Sequence, residues 1–139
     1  MAENASFPVQ NRQLARLIEG LHTEVLVSGF GDKILVIVTQ YGKIGSLLYT
    51  TLDTTPQLSS TPSAVPTTTH FLLGQSTTTQ SDIQLLYASH ISQTIAVMNP
   101  NEKRSVLMGI ALKDPGDDNA ARKRVFEEVV DMVKECRVW

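Results

Sequence analysis

The feature that most constrains the fold of this chain is a series of short runs of β-branched and aliphatic residues between Arg12 and Thr51. Turns that contain Gly20, Gly31 and Gly42 separate these runs. Runs of this composition, interrupted by glycine-bearing turns, predict two successive β-hairpins. A β-sheet is therefore expected to involve this part of the chain.

The four runs differ in what they indicate. Gln13–Glu19 is ambiguous, because its apolar spacing fits a helix while the next run offers a hairpin partner. His22–Phe30 alternates as a half-buried strand does. Lys33–Thr39 is apolar on both faces, which predicts a central strand that is covered on each side. Ser46–Leu52 is predicted to return as the second strand of the second hairpin.

The composition then changes sharply, because no Asp, Glu, Lys or Arg occurs between Thr54 and Ser81. The piece 53–66 contains three of the six prolines and is predicted to be a mobile Thr/Pro-rich loop. Residues 1–10 are also expected to be disordered. Thr67–Gly74 regains β-character and predicts a further strand, with Thr69, Phe71 and Leu73 on one face.

Two helices and one more strand are predicted in the rest of the chain. The first helix should begin after Ser81, which with Gln84 forms a capping box, and should end at Asn99. Its apolar stripe consists of Ile83, Leu86, Tyr87, Ile91, Ile95 and Met98. A strand over 104–113 follows. The last helix is predicted over 119–136, with Asp117 or Asp118 as its cap and with the stripe Val125, Val129, Met132, Val133 and Cys136.

With the ambiguous first run counted as a strand, the order of these elements predicts an α+β fold, an antiparallel six-stranded sheet or sandwich flanked by two helices. The length of 139 residues favours a single domain over 1–139.

Composition excludes several classes of function. Twelve basic and fourteen acidic residues give a net charge of −2, so no positive field is available to attract nucleic acid or a membrane surface. One cysteine, Cys136, excludes an intrachain disulfide and a multi-cysteine zinc site. The longest apolar run, Ile34–Val38, is too short for a signal peptide core or a membrane span. A cytoplasmic protein, which could also be nuclear, is expected.

No motif in the sequence indicates catalysis or a cofactor. The pair Gly29 and Gly31 lies at a predicted turn with no helix after it, and Gly42–Gly45 lacks the spacing of a phosphate-binding loop. The three histidines have no metal-ligand spacing, and there is no nucleophile elbow. The residues alone therefore favour a small binding or scaffolding protein, with no enzymatic activity, metal or cofactor.

Four strings carry a resemblance to a known family. They are Lys33–Leu48 (KILVIVTQYGKIGSLL), Phe71–Gln75 (FLLGQ), Val106–Asp114 (VLMGIALKD) and Cys136–Trp139 (CRVW). In order and spacing, across nearly the whole chain, they resemble the proteasome assembly chaperone 3 family. The chain departs from that pattern in the loop 53–66, in a Thr tract at 77–79 and in an insert at 99–103, all predicted loops, where insertions are tolerated.

The resemblance implies a six-stranded sheet flanked by two helices, with the first run as a strand. It implies a structurally similar partner, proteasome assembly chaperone 4, in a heterodimer. The pair is expected to assist formation of the α-subunit ring of the 20S core particle by binding α-subunits, including the alpha-5 type. The mechanism would be templating, in which neighbouring α-subunits bind better in the correct order than in wrong ones. Homodimerisation in isolation, through the surface meant for the partner, is compatible with this interpretation.

The most distinctive strings of the family supply candidate protein-binding residues. Exposed loop tips carry function more often than core positions do, which favours a protein contact at this predicted hairpin tip. The alternative is structural, since the glycines would also be needed for the turn and the glutamines for bonding it. The candidates are Gln40, Tyr41, Gly42, Lys43, Ile44, Gly45 and Gln75.

Two hypotheses from other classes compete with the chaperone. A small enzyme would use a pocket near His70 or His90, and it would require a deep polar cavity with a perturbed imidazole. A small adaptor of the trafficking type would also mix hairpins with two helices. The identity of the partner separates the adaptor from the chaperone.

Overall fold

The computed structural model of the chain describes residues 9–40, 42–52, 67–74, 79–114 and 116–139. These residues form one six-stranded sheet and two helices. Counted along the chain, the elements are β1 (Gln10–Ile18), β2 (Leu21–Gly29), β3 (Lys33–Thr39), β4 (Ser46–Leu52), β5 (Thr67–Leu73), α1 (Thr79–Met98), β6 (Ser105–Ala111) and α2 (Asn119–Glu135).

The predicted α+β class with six strands and two helices is confirmed, and the ambiguous first run is a strand. The spatial order of the strands is β1-β2-β3-β6-β4-β5. All neighbouring pairs are antiparallel except β3 and β6, which are parallel. The sheet is therefore mixed, and the description as antiparallel is approximately right.

The prediction of a second hairpin, formed by β3 and β4, is wrong. β6 lies between these two strands and pairs with both, Ile37 being opposite Gly109 and Gly109 opposite Leu47. The chain returns to the middle of the sheet only after β4, β5 and the crossover helix α1. The sequence of the β3–β4 turn does not reveal that another strand lies between β3 and β4, because that strand, β6, comes much later in the chain.

Both helices pack on one face of the sheet. α1 lies against β4, β5 and β6, and α2 lies against β1 and β2. Since successive side chains of a strand point to opposite faces, alternate residues of the inner strands β2, β3, β4 and β6 are buried beneath the helices. We call this the helix-covered face, and its buried side chains include Val25, Val27, Ile34, Val36, Val38, Leu48, Val106, Met108 and Ile110.

The last helix matches its prediction closely. Asp118 is the N-cap, and its side chain accepts a hydrogen bond of 3.0 Å from the N–H of Ala121. The predicted stripe is buried against the sheet and α1, and it comprises Val125, Val129, Met132, Val133 and Cys136.

The start of α1 differs from the prediction. The helix begins at Thr79, so Ser81 lies inside the first turn, where it is 1% exposed, and it is not at the N-cap position that the predicted capping box requires. The stripe is buried at Tyr87, Ile91 and Ile95, but Leu86 is 58% exposed. Three- and four-residue spacing defines a helix face, but it does not say how far around the helix the covering sheet extends.

Two further expectations about strand faces are wrong. A register shift between Leu47 and Leu48 places Leu73 opposite Leu47, on the other face from Phe71. β3 is central, as predicted, yet only its helix-covered face is buried, since Leu35 and Ile37 are half-buried. Residues 1–8 and 53–66 lie outside the described residues, and Gln10 already belongs to β1.

Ion pairs tie the outer strand β1 to α2. Arg16 donates hydrogen bonds to Glu128 (3.1 Å) and Asp131 (3.4 Å), and its second terminal nitrogen contacts Glu135. The pKa of Arg16 is raised, chiefly by the hydrogen bond to Glu128. Neither described helix combines the length and apolar character needed to cross a membrane.

Candidate protein-binding surface

The face of the sheet opposite the helices is covered by no helix or strand of the described residues. It is formed by the alternate positions of the strands, and the registers align them into two rows. One row contains Leu26, Ile37, Gly109, Leu47 and Leu73, and the other contains Leu35, Leu107, Tyr49 and His70. We call this surface the open face. Its centre is aliphatic and half-buried, and it consists of Leu26, Leu35, Ile37, Leu47 and Leu107.

Among the side chains that the strands contribute to the open face, the charged ones lie only at its margin. Glu24 and Lys33 stand near opposite ends of the β2–β3 pair. In the centre, the polar Tyr49 hydroxyl donates a 2.8 Å hydrogen bond to Ser105 Oγ. A large apolar area whose core lacks charge and whose rim is polar has the composition of a protein–protein interface.

Exposed aliphatic residues extend the open face to both edges of the sheet. Leu17 on β1 is 70% exposed, and Leu73 on β5 is 60% exposed. Both residues belong to the open face by register, because Leu17 is opposite His22 and Leu73 is opposite Leu47.

The β3–β4 connection, which holds most of the candidate binding residues, borders this face. It passes over the end of β6, so that Ile44 lies above Gly109 and a Cβ added at Gly109 would be 2.8 Å from Ile44 Cγ2. Ile44 is 51% exposed, and Lys43 and Gly42 are exposed as well. The connection therefore extends the apolar surface of the open face by one exposed isoleucine.

Gln40 ties the connection to two other parts of the chain. Its Nε2 donates to Thr23 Oγ1 (3.1 Å), and its Oε1 accepts from the N–H of Lys113 (2.8 Å). Its own N–H donates to the carbonyl of Ala111 (2.8 Å). These three bonds assign Gln40 a structural role, and a role in binding stays a prediction. Tyr41 and Gln75 lie outside the described residues.

The histidines do not form a site. His22 lies 3.2 Å from Glu24, His70 is exposed on the open face, and the ring of His90 is 5.0 Å from that of Phe126. The His90 side chain is exposed, so it is not buried with its neighbour Ile91. Among the described residues, no three His, Cys, Asp or Glu side chains are arranged to hold a metal ion.

The surroundings of the single thiol raise its pKa on balance. Cys136 is buried, and burial is the main reason that its pKa is raised. A raised pKa keeps the sulfur protonated, and the thiolate is the reactive form. This agrees with the interpretation of Cys136 as a packing residue.

Sequence reasoning missed the open face itself. The signal was present, since Lys33–Thr39 is apolar on both faces while only two helices are predicted in the sequence and found among the described residues. If both helices cover the same face, the other face of β3 must be covered by something else.

Comparison with known proteins identifies the family. A family model described as proteasome assembly chaperone 3 matches residues 36–136. The chain belongs to the proteasome assembly chaperone 3 family. The resemblance inferred from the four strings is thereby confirmed, and this family member has the role of a chaperone in proteasome assembly.

Individual relatives agree over most of the chain. Proteasome assembly chaperone 3 of Homo sapiens is 29% identical over 131 residues, which is 94% of this chain and 95% of the human protein. The protein of the same name in Mus musculus is 30% identical over 131 residues, again 94% and 95% of the two chains. In Nematostella vectensis, 50% identity extends over 52 residues, 37% of this chain and 38% of that protein.

The fold also agrees with a solved structure. One chain of a crystal structure described as a novel chaperone complex for yeast 20S proteasome assembly has a TM-score of 0.55 to this chain. It is 12% identical, and the match covers 91% of this chain and 97% of that one. At this identity the likeness concerns the fold.

Proposed function

We propose that the chain works as one half of a heterodimeric chaperone, in which the open face binds proteasome assembly chaperone 4. The pair would promote assembly of the 20S core particle by binding α-subunits, the alpha-5 type among them, and by templating the α-ring. The observation that carries this proposal is the open face, an aliphatic and charge-poor sheet surface that the described part of the chain leaves uncovered.

The shape of the open face favours a second sheet as its occupant. Its side chains stand in rows set by the strand registers, and two sheets pack face to face when such rows interdigitate. A structurally similar chaperone would offer a sheet of the same kind. The likeness of the fold to a member of a yeast chaperone complex is in keeping with this arrangement.

The experiment is co-expression of this chain with the chaperone 4 partner, followed by affinity measurement on the purified proteins. Ile37→Glu places a carboxylate in the centre of the open face, and it is expected to weaken the complex by at least about 30-fold, the loss typical of a central interface residue. Val97→Glu is the matched control, because Val97 is an exposed residue of α1 on the other side of the molecule.

Leu17→Glu distinguishes loss of binding from loss of folding. Leu17 is 70% exposed, so this variant should keep the thermal unfolding of the wild type and still weaken the complex. Binding of chaperone 4 with wild-type affinity by folded Ile37→Glu and Leu17→Glu would contradict the proposed interface. Failure of the intact pair to retain any α-subunit would contradict the proposed role in α-ring assembly.

A further inference from the structure

A cleft opens between the two helices on the helix-covered side of the molecule. It lies over the end of β6, between the N-terminal halves of α1 and α2, and its volume is about 310 Å³. The rings of Tyr87 and Phe126, 4.7 Å apart, close one side. The apolar lining also includes Ile83, Ile110, Leu112 and Val125. A volume of this order accommodates a bulky apolar side chain.

The rim of the cleft is positively charged although the chain as a whole carries a net charge of −2. Three cations and one carboxylate line it, namely Lys113, Arg122, Lys123 and Asp114, so the lining has a net charge of +2. Hydrogen bonding from the N–H of Gly116 and the nearby Arg122 lower the pKa of Asp114, which therefore stays ionised and pairs with Arg122 at 3.5 Å. Lys123 lies 3.9 Å from the carboxylate of Glu127, one turn along α2, in an exposed pair of the kind that contributes little to stability, so an anionic ligand can compete for its ammonium group.

The exposed parts of the rim indicate a ligand that contacts the apolar lining and the positively charged rim at the same time. Leu86 lines the cleft and is 58% exposed, and the side chain of Lys123 is 79% exposed. An occupant would thus meet an aliphatic wall and an accessible ammonium group on the same side of the molecule.

The position of the cleft makes it independent of the open face. Both helices lie on the opposite side of the sheet from that face, and the cleft is formed by the helices and the end of β6. A second sheet bound to the open face would therefore leave the cleft accessible.

We propose that this interhelix cleft is a docking site for an acidic linear segment of a partner protein, which inserts one bulky apolar side chain between the helices and places its flanking carboxylates beside Lys113 and Lys123. Apolar burial supplies the affinity, and the complementary charge selects an acidic segment over a basic one. The inference does not depend on which protein covers the open face.

The test is titration of the isotope-labelled full chain with matched octapeptides, followed by NMR. The first peptide has one phenylalanine flanked by glutamates. In the others, serine replaces the phenylalanine, glutamine replaces the glutamates, or lysine replaces the glutamates. The first peptide is expected to bind at least about tenfold more tightly than any of the others, since each change removes an apolar anchor or the charge complementarity. The largest shifts are expected at cleft residues.

Two pairs of variants locate the binding. Leu86→Ser is expected to weaken binding of the phenylalanine peptide at least about fivefold. Val97→Ser, at an exposed valine of the same helix, should leave the affinity unchanged. Lys123→Glu is expected to weaken binding of the same peptide by a similar factor at low salt. Lys134→Glu, in the last turn of α2, should leave the affinity unchanged.

Several outcomes would overturn the proposal. One is the absence of saturable binding of the phenylalanine–glutamate peptide, and another is equal affinity for the glutamate and lysine peptides. A third is that uncharged N-acetyl-phenylalaninamide binds as tightly as the phenylalanine–glutamate peptide, which would indicate an apolar small-molecule site. Self-association of the chain that disappears in Leu86→Ser, without peptide binding, would assign the cleft to a second copy. Leu86→Ser should still bind chaperone 4, and Ile37→Glu should still bind the peptide, so this proposal and the preceding one fail separately.

Discussion

Gly42 and Gly45 occupy the same connection with the same left-handed backbone, at φ values of 71° and 70°, but in different surroundings. A Cβ added at Gly42 would meet nothing within 4 Å. A Cβ added at Gly45 would overlap the carbonyl oxygen of Ile110 and lie 2.7 Å from the Cβ of Ala111. The second glycine is therefore required by the close passage of the connection over β6 as well as by its backbone conformation.

This difference predicts unequal losses of stability. Gly42→Ala should lower the free energy of unfolding by about 1 kcal/mol, the cost of a left-handed conformation for a residue with a Cβ. Gly45→Ala should lower it by about 3 kcal/mol, since overpacking against β6 is added. Urea unfolding of the two variants measures both values. Equal losses would mean that the connection moves away from β6 without difficulty.

Gln40 illustrates what could not be predicted at a single residue. The local sequence indicated a distinctive loop, and the loop is there. The partners that define the role of Gln40 are Thr23 and Lys113, and Lys113 lies 73 positions further along the chain. No local pattern contains information about a hydrogen bond across such a separation.

At the scale of elements, prediction succeeded where the signals were local. α2 has an Asp cap, an apolar stripe and charged flanks within its own length, and its bounds match the prediction within one residue. The bounds of β4 were also predicted correctly. The neighbours of each strand were not, because β6 reaches β3 and β4 from a position beyond α1.

The entry into β6 is held by a buried ion pair. Glu102 is 8% exposed, and its carboxylate accepts hydrogen bonds from Arg104 Nε (2.8 Å), Arg104 Nη2 (2.7 Å) and the N–H of Arg104 (3.0 Å). Arg104 Nη1 donates to the carbonyl of Phe30, in the turn between β2 and β3 (3.0 Å). The ion pair therefore ties the entry into β6 to the β2–β3 turn.

This pair predicts a specific loss of stability in acid. The side-chain hydrogen bonds from Arg104 lower the pKa of Glu102 below its ordinary value of 4.5. The folded state then binds its proton less readily than the unfolded state, so the stabilisation is fully present above pH 4.5 and is lost as pH falls through the lowered pKa. Glu102→Gln should lower the free energy of unfolding by about 2 kcal/mol at pH 7, and the difference from wild type should shrink below pH 4.5.

Denaturant unfolding between pH 7 and pH 3 measures this difference. Glu127→Gln, at an exposed carboxylate of α2, is the control. A constant difference between wild type and Glu102→Gln over the whole range would show that the carboxylate contributes through its shape and not through its charge.

At the scale of the whole molecule, the strands of the sheet differ in how well their backbone amides are protected from hydrogen exchange. β3 and β6 have neighbours on both sides, whereas β1 and β5 are the edges of the described sheet. Amide hydrogen exchange should therefore be slowest in β3 and β6, and the outward amides of β1 and β5 should exchange at least about tenfold faster, since local opening costs less than global unfolding. Uniform exchange in all six strands would indicate instead that the sheet opens as one unit.

The whole-molecule architecture also explains why the candidate surface escaped prediction. The apolar pattern of β3 was interpreted as a strand covered on both faces, which is correct for a strand within one complete core. Here one of the two faces is left uncovered by the described chain, and a single sequence does not say whether a covering element is its own or belongs to a partner.

The position of β6 has a consequence for how the protein is made. Ribosomes deliver the chain from its N-terminus, so β1–β3 and β4–β5 emerge as two separate pieces of sheet, and only the arrival of Ser105–Ala111 joins them. The longer row of the open face runs through Gly109, at the junction. The surface on which this assembly factor is proposed to meet its partner is therefore incomplete on the nascent chain until β6 has been translated.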